Sequence, residues 1–280
     1  MFRRQFANRN VLVPPDAASE VVAAITMMTS PDERHRWLTI MASSQALAQS
    51  VFGGLSVLGR LDALEGLASD DGQPVCCESA ALYRMELERQ VSTLSEPRPT
   101  SLDAFFDGPQ KVAVEVEFTE AEFGCCSRPR LRPEEPNFER DHCDGNFSIQ
   151  RGRSARCSLS ERGILYWQFM PRIFTWSAAH DHRPCPLAFT YPLVRNVLAA
   201  CMSERGVLDT KRGHVLLVYD ARNPAFQAGG EADAQWWTAI RALRHPRLLR
   251  RVSCQRVAAH LTQFPDLAWL SGGLAGNYGF

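Results

Sequence analysis

The sequence predicts an α/β domain in which helices flank a mixed β-sheet. Two segments predict the strands: KVAVEVEF (111–118) alternates apolar and polar residues, and HVLLVYD (214–220) is an apolar run typical of a strand buried on both faces. Apolar residues that return every three or four positions between Pro31 and about Leu67 predict a helix. The 280 residues, 45% of them hydrophobic, suffice for such a core and exclude a disordered tail or a small disulfide-stapled scaffold.

The other elements are predicted from the same patterns. Ser30 before Pro31 is a helix start, and Gly53-Gly54 is expected to break that helix. Further strands are predicted at 82–91, 101–106 and 164–170, and further helices at about 187–203, 231–244 and 252–263. We expect an N-terminal extension (1–30), one domain (31–265) with a loop insertion at about 125–160, and a C-terminal tail (266–280).

Charge is balanced overall but divided along the chain. The 31 basic and 31 acidic residues cancel, yet residues 1–140 hold 14 basic and 21 acidic residues, a net charge of −7, and residues 141–280 carry +7. The balance disfavours a simple polybasic nucleic-acid binder, whereas an acidic half facing a basic half suits a metal-dependent enzyme that acts on a polyanion. A chance distribution of solvated charges explains the counts equally well.

The sequence contains no apolar run of signal-peptide or membrane-spanning length, so we expect a soluble cytoplasmic protein. In that reducing compartment the odd number of cysteines, nine, argues against a disulfide framework and leaves free thiols or a metal site.

Three carboxylates are predicted to meet on neighbouring strands. Asp103 lies in the strand before the turn Asp107-Gly108, and Glu115 and Glu117 share one face of the next strand. Carboxylate oxygens suit a hard divalent cation such as Mg²⁺, which can polarise a phosphoryl oxygen. Ordinary solvent-facing carboxylates would give the same pattern.

Longer segments resemble a known family. These segments are SSQALAQSVFGGL (43–55), RPTSLDAFF (98–106), VEVEFTEAEFG (114–124), YPLVRNVLAAC (191–201) and GHVLLVYDARNPAF (213–226). Together with the order helix, strand, Asp103, Glu115-Val116-Glu117, they resemble a bacterial restriction-endonuclease-like branch of the PD-(D/E)xK nuclease superfamily. The resemblance implies a restriction-endonuclease-like α/β core with a cysteine-containing insertion.

The resemblance also implies roles for the acidic residues. Asp103 and Glu115 match the metal-binding acids, and Gln45 is nearest to the position of a helical glutamate. Glu117 stands at the position of the motif lysine. Lys111 lies on the same strand but about 20 Å from Glu117, too far to take the place of that lysine. Either Glu117 is a third metal ligand, an arginine supplies the positive charge, or the domain binds without cutting.

Arginines are the candidates for phosphate binding, because Lys111 and Lys211 are the only lysines. Arg195 and Arg222 can each clamp a phosphate, although structural ion pairs would explain both. The acid-free run 241–256 predicts an arginine stripe on the outer face of helical segments around Pro246. In it, Arg247, Arg250 and Arg251 are candidate nucleic-acid contacts. A solvated face that pairs with the acidic half is the alternative.

Four cysteines form a candidate structural metal site. Cys126 (or Cys125), Cys143, Cys157 and Cys185 lie within 61 residues, near His142, His180 and His182. They could hold Zn²⁺ or an iron–sulfur cluster, and the resemblance adds that some nucleases of the superfamily carry a four-cysteine cluster. Buried free thiols are the alternative, and a Cys–His hydrolase is disfavoured because no cysteine occupies a recognisable nucleophile position.

Two functional hypotheses follow. The first is a Mg²⁺-dependent endonuclease that hydrolyses DNA, with Asp103, Glu115 and Glu117 at its centre. The second is a catalytically inactive module of the same fold that binds nucleic acid or a protein partner and is stapled by the cysteines.

Overall fold

A mixed sheet forms the centre of the protein. The computed structural model describes residues 10–30, 32, 34, 38, 43–76, 79, 82–97, 99–126, 143–149 and 155–280. Five strands lie side by side in chain order: β1 (Arg84–Val91), β2 (Thr100–Asp107), β3 (Lys111–Glu117), β4 (Gly213–Tyr219) and β5 (Leu249–Ser253). β1, β2 and β3 are antiparallel neighbours, whereas β4 pairs in parallel with β3, and β5 with β4.

Helices cover both faces of this sheet. In chain order they are α1 (Ser19–Met27), α2 (Ser44–Ala48), α3 (Gly54–Val57), α4 (Ser158–Glu161), α5 (Tyr166–Ile173), α6 (Leu187–Cys201), α7 (Glu231–Ala242), α8 (Cys254–Leu261) and α9 (Ala268–Gly273). A π-helical turn, Gln49–Gly53, joins α2 to α3. None of the described helices is long and apolar enough to cross a bilayer.

The alternation of β3 separates two apolar layers. Val112, Val114 and Val116 face the layer formed with α2, α3, α8 and α9. Ala113 faces the opposite layer, formed with α5, α6 and α7. The predicted α/β class, a mixed sheet flanked by helices, is therefore confirmed, and the arrangement is consistent with a restriction-endonuclease-like core.

Several predicted elements need correction. The segment 164–170 is not a strand, because Tyr166, Met170 and Ile173 return at helical spacing and are buried in α5. Gly53-Gly54 does not break the helix, since the chain stays helical from Ser44 to Val57. Strand β5 occupies part of the predicted arginine-bearing helical run. The predicted helix start at Pro31 lies outside the described residues.

Both ends of the described chain pack on the core. Ile25 of α1 is buried with Ala46 of α2. Leu270 and Tyr278 join the layer of α8, and the Tyr278 hydroxyl donates to the carbonyl of Asn10 at 2.8 Å. The predicted boundaries at 30/31 and 265/266 therefore fall between segments that share one core.

The close approach of α6 to β4 depends on a glycine. A Cβ on Gly213 would lie 2.2 Å from the Ala200 carbonyl oxygen, which is backbone and cannot rotate away. We expect Gly213→Ala to lower the free energy of unfolding by about 1–3 kcal/mol, because the strand and helix must separate. Gly272→Ala is the control, because its Cβ would meet open space within α9 and alanine favours a helix. Urea unfolding measures both variants, and equal stability of the two would contradict the prediction.

Candidate active site

Asp103 is fixed where the pairing of β2 with β3 ends. The two strands pair from Asp107↔Lys111 to Ala104↔Val114. Beyond this point the backbone N–H of Val116 donates to Oδ2 of Asp103 at 2.7 Å. A carboxylate thus takes the place of a backbone acceptor, which holds the Asp103 side chain against β3.

Helix α6 supplies the polar groups that face Glu115. The side-chain amide of Asn196 is buried and donates to Oε2 of Glu115 at 2.9 Å. Burial raises the pKa of Glu115, and the guanidinium of Arg195, one residue earlier in α6, opposes this rise. The first turns of α6 contain a proline. The Arg195 and Asn196 side chains lie two to three turns after the start of the helix, beside the middle of β3.

Three further carboxylates lie around this pair. Glu117 is only 7% exposed. Glu120 accepts the backbone N–H groups of Phe118 and Thr119. Glu88 of β1 accepts from Gln45 at 2.6 Å and from the hydroxyl of Ser101 at 2.7 Å, in a backbone conformation with φ of 49°. We call Glu88, Asp103, Glu115, Glu117 and Glu120 the acidic cluster.

The carboxylates of the acidic cluster disfavour one another's charge. Burial raises the pKa of Asp103 well above its usual range, and Glu115 and Glu88 raise it further. Burial also raises the pKa of Glu117, with contributions from Glu115, Glu120 and Asp103. The pKa of Glu115 rises to about 7 through burial, although Arg195 and Asn196 oppose the rise. Desolvated like charges of this kind are stabilised by a bound cation.

The donor set fits a hard divalent cation by its chemistry, because it consists of carboxylate oxygens. Two buried atoms beside it also have no hydrogen-bond partner among the described residues: Nε of Arg195 and Oδ1 of Asn196. In the described part of the chain, however, the side chains as they stand do not form a ready-made metal-binding group of three or more His, Cys, Asp or Glu residues. Metal binding here therefore stays a prediction.

The two candidate phosphate-binding arginines have different surroundings. Arg195 is partly buried, lies with its guanidinium carbon 5.9 Å from the Tyr191 ring centre, and acts on Glu115. Arg222 instead pairs with Asp220 at 2.7 Å and donates to the carbonyls of Tyr278 and Gly279. The structure thus brings Arg195, and not Arg222, to the acidic cluster.

The predicted arginine stripe is divided between surface and interior. Arg247 is exposed. Arg250 is 6% exposed and donates to the carbonyls of Pro74 and Arg247, so its predicted position on an outer helical face is wrong. Arg251 pairs with Asp233 at 3.1 Å and with Asp70 at 3.5 Å, and of these two partners only Asp70 belongs to the acidic half that the alternative names. Their contact with nucleic acid stays a prediction.

The four candidate cysteines of the metal site lie in one region. Cys157 and Cys185 are buried in the layer of α5 and α6, and Cys126 packs against that layer. Cys143 acts electrostatically on both buried thiols, whereas Cys125 is exposed. His182 stacks on Trp167 nearby, and His142 lies outside the described residues.

Sequence reasoning missed part of the site. Glu88 lies in the segment 82–91, which the sequence predicts only as a strand. No sequence pattern points to Glu120. Asn196 directly follows Arg195 in the sequence. The observation that makes Arg195 a candidate site residue could therefore also have pointed to Asn196. Gln45, the residue that the resemblance puts nearest to a helical glutamate, donates to Glu88 in the structure.

The raised pKa of Glu115 predicts how stability depends on pH in the metal-free protein. Its pKa rises from an ordinary value of 4.5 to about 7, so the folded state binds more protons than the unfolded state between these values. The free energy of unfolding should therefore fall as pH rises from about 4.5 to 7. Thermal unfolding in a chelator should show this fall in the wild type and a smaller fall in Glu115→Gln.

Glu204→Gln is the control for this experiment, because the Glu204 side chain is 82% exposed. It should unfold with the pH dependence of the wild type. Equal pH dependence of Glu115→Gln and the wild type would contradict the raised pKa of Glu115.

Comparison with known proteins identifies the family. The model of the family described as "Restriction Endonuclease associating with ARP" (REase-ARP) matches residues 4–279. No curated protein and no solved structure matches the chain. Since the family match covers nearly the whole chain and the sheet is consistent with a restriction-endonuclease-like core, the chain belongs to the REase-ARP family.

Proposed function

We propose that this protein is a divalent-metal-dependent endonuclease of the PD-(D/E)xK type that hydrolyses phosphodiester bonds of DNA. The observation that carries the proposal is the position of Asp103 and Glu115 side by side at the end of the β2–β3 pairing, facing Arg195 of α6. Membership of a restriction-endonuclease family supports DNA as the substrate. This substrate agrees with the cytoplasmic location expected from the sequence.

Asp103 and Glu115 are the residues that would hold Mg²⁺, with Glu117 as a third carboxylate. When bound there, the cation would polarise a phosphoryl oxygen and lower the pKa of a bound water. Val116 orients the Asp103 carboxylate through its N–H, and Asn196 orients the Glu115 carboxylate through its amide. These supporting donors keep the two carboxylates in place while the remaining oxygens stay available.

Arg195 would supply the positive charge that the resemblance assigns to the lysine replaced by Glu117. Its buried Nε has no hydrogen-bond partner among the described residues, so an acceptor such as a phosphate oxygen would satisfy this donor. Arginine keeps its charge at all working pH values, so Arg195 would stabilise developing negative charge and would not accept a proton. Tyr191 limits the positions of this guanidinium by contact with its ring.

One observation favours the second candidate function, a nucleic-acid-binding or partner-binding module that does not cut. Glu117 places a buried carboxylate where the resemblance implies a positively charged lysine. This carboxylate raises the free-energy cost of negative charge in the site. If no cation binds, the acidic cluster takes up protons and the site has no catalytic charge. The two candidates therefore differ in whether a divalent cation reaches the cluster.

Cleavage of supercoiled DNA tests the proposal. With Mg²⁺ or Mn²⁺ the wild type should nick the DNA, and Asp103→Asn should lower the rate about a hundredfold or more because a metal ligand is lost. Asp107→Asn is the matched control, since Asp107 lies on the same strand but is exposed at its end. The rate is measured from the loss of supercoiled DNA on gels.

Two results would contradict an active endonuclease. Nicking that persists in Asp103→Asn would show that the activity comes from elsewhere. A silent wild type with activity in Glu117→Lys would show that Glu117 has inactivated an otherwise intact site, as the second candidate function requires.

The role of Arg195 gives a separate prediction. Arg195→Gln removes the charge, and we expect the cleavage rate to fall about 10²–10³-fold, as for loss of one transition-state donor. Arg195→Lys should recover part of the rate, because it keeps the charge and loses the planar guanidinium. Arg222→Gln is the control, since the Arg222 guanidinium pairs with Asp220 and not with a carboxylate of the acidic cluster. Equal rates for Arg195→Gln and Arg222→Gln would contradict this role.

A further inference from the structure

A cavity of about 450 Å³ lies between α7 and the first residues of β5. Trp236 and Trp237 of α7 and Arg251 of β5 line this cavity. The guanidinium carbon of Arg251 lies 5.5 Å from the ring centre of each tryptophan. The volume of the cavity falls in the range of small-ligand pockets, roughly 300–1,000 Å³.

Two π-faces stand side by side in the cavity wall. Trp236 is 3% exposed and belongs to the apolar layer of α5, α6 and α7, whereas Trp237 is 43% exposed. Asp233 pairs with Arg251 at 3.1 Å and so restrains the guanidinium beside Trp237. Nucleobases stack on exposed indole rings and on the planes of arginine guanidinium groups. The wall thus has the chemistry of a base-stacking platform.

Exposed arginines flank the cavity. Arg241 lies one helical turn after Trp237, on the same side of α7. Arg247 directly follows Pro246, which lines the cavity. Both arginine side chains are exposed, and neither pairs with a carboxylate in the part of the chain that the structure describes. Such cations attract the phosphates of a nucleic acid strand.

Carboxylates in the cavity wall distinguish the base of a nucleotide from its phosphate. Asp70 and Asp71 line the cavity. Asp70 pairs with Arg251 at 3.5 Å and with Arg256 at 3.7 Å, whereas Asp71 is exposed and accepts from the Ser69 hydroxyl. Carboxylates repel a phosphate but accept hydrogen bonds from the N–H groups at a base edge. The cavity therefore suits a base, and the arginines outside it suit the phosphates.

The cavity lies on the same face of the sheet as the acidic cluster. The parallel register aligns Glu115 of β3 with Leu217 of β4 and with Arg251 of β5. Aligned residues of neighbouring strands point to the same face, and two strand spacings place the outer two about 10 Å apart. A DNA strand bound at the acidic cluster therefore has the cavity close by.

From this arrangement we infer that the cavity binds one unstacked nucleobase of a DNA strand. The base lies against Trp237, and the neighbouring phosphates lie at Arg241 and Arg247. This assignment rests on the DNA substrate of the proposed function, but it requires neither a cation nor cleavage. Because a base must leave its stack to enter the cavity, the site selects single-stranded or locally opened DNA.

Binding of single-stranded DNA to the full-length protein in a chelator tests the inference. The probe is a short, fluorescently labelled oligothymidylate, and its counterpart is an abasic oligomer of the same length and charge. The wild type should bind the oligothymidylate about tenfold more tightly, because only this oligomer can stack on an aromatic ring. Fluorescence anisotropy measures both Kd values. Equal Kd values, or no binding of the oligothymidylate, would overturn the inference.

Variants of Trp237 locate the stacking surface. Trp237→Ala should raise the Kd of the oligothymidylate about tenfold and leave that of the abasic oligomer unchanged. Trp237→Phe should recover part of the affinity, because an aromatic ring remains. Leu82→Ala is the control for loss of an exposed apolar side chain, since Leu82 is 59% exposed and lies just before β1. Weaker binding of both oligomers by Trp237→Ala, or an equal loss in Leu82→Ala, would refute stacking at Trp237.

Arg241→Gln tests the phosphate contact. It should weaken binding of both oligomers by a similar factor and reduce the salt dependence of log Kd by about 0.7, as expected for one phosphate contact with a single strand. Arg205→Gln is the control, because Arg205 is exposed in the turn between α6 and β4. An unchanged salt dependence in Arg241→Gln would contradict the contact.

The nicking assay keeps this inference separate from the proposed function. Base-dependent binding that needs Trp237, in a protein that does not nick DNA, would support the cavity and contradict the endonuclease. Metal-dependent nicking by a protein whose DNA binding is unaffected by Trp237→Ala would do the reverse.

Discussion

The candidate active site depends on the cost of keeping several carboxylates close together and out of water. Asp103, Glu115 and Glu117 are held on adjacent strands by the sheet itself, so they cannot separate as flexible surface side chains can. Their pKa values rise because burial and mutual repulsion both oppose charge. A fold that keeps such a group fully charged loses stability unless a cation binds or the carboxyl groups take up protons, and the two candidate functions differ in which of these occurs.

Helix α6 begins two residues after the buried Cys185 and runs past the candidate active site to β4. It carries Arg195 and Asn196 toward Glu115, and Cys185 lies just before its first turn. At its other end, the contact of Ala200 with Gly213 fixes the helix against β4. The position of Arg195 is therefore set from both ends of one helix.

The sequence predicted the strand part of the site better than the helical part. Strict alternation in 111–118 places Glu115 and Glu117 on one face of β3, and the preceding turn brings Asp103 beside them. The direction of Arg195 could not be predicted, because it depends on how α6 is rotated against the sheet. The burial of Arg250 was also missed, since a helical interpretation put every arginine of its run outside, while strand β5 turns it toward the Pro74 carbonyl. Segment 164–170 was wrongly predicted as a strand because a short run of aromatic and aliphatic residues suits either element.

The resemblance implies a lysine at the position of Glu117, and the presence of Arg195 nearby would change what such a site can do. A lysine on the strand would place a compact charge that can shift its pKa, whereas an arginine from the helix offers a planar group that stays charged. Arg195 can therefore balance the charge of a phosphate, but it cannot take part in proton transfer. Burial, together with the charges of Glu115, Glu120 and Asp103, raises the pKa of Glu117, so this carboxyl group favours its protonated form when no cation binds. The replacement thus separates charge stabilisation from proton transfer, which a single lysine would combine.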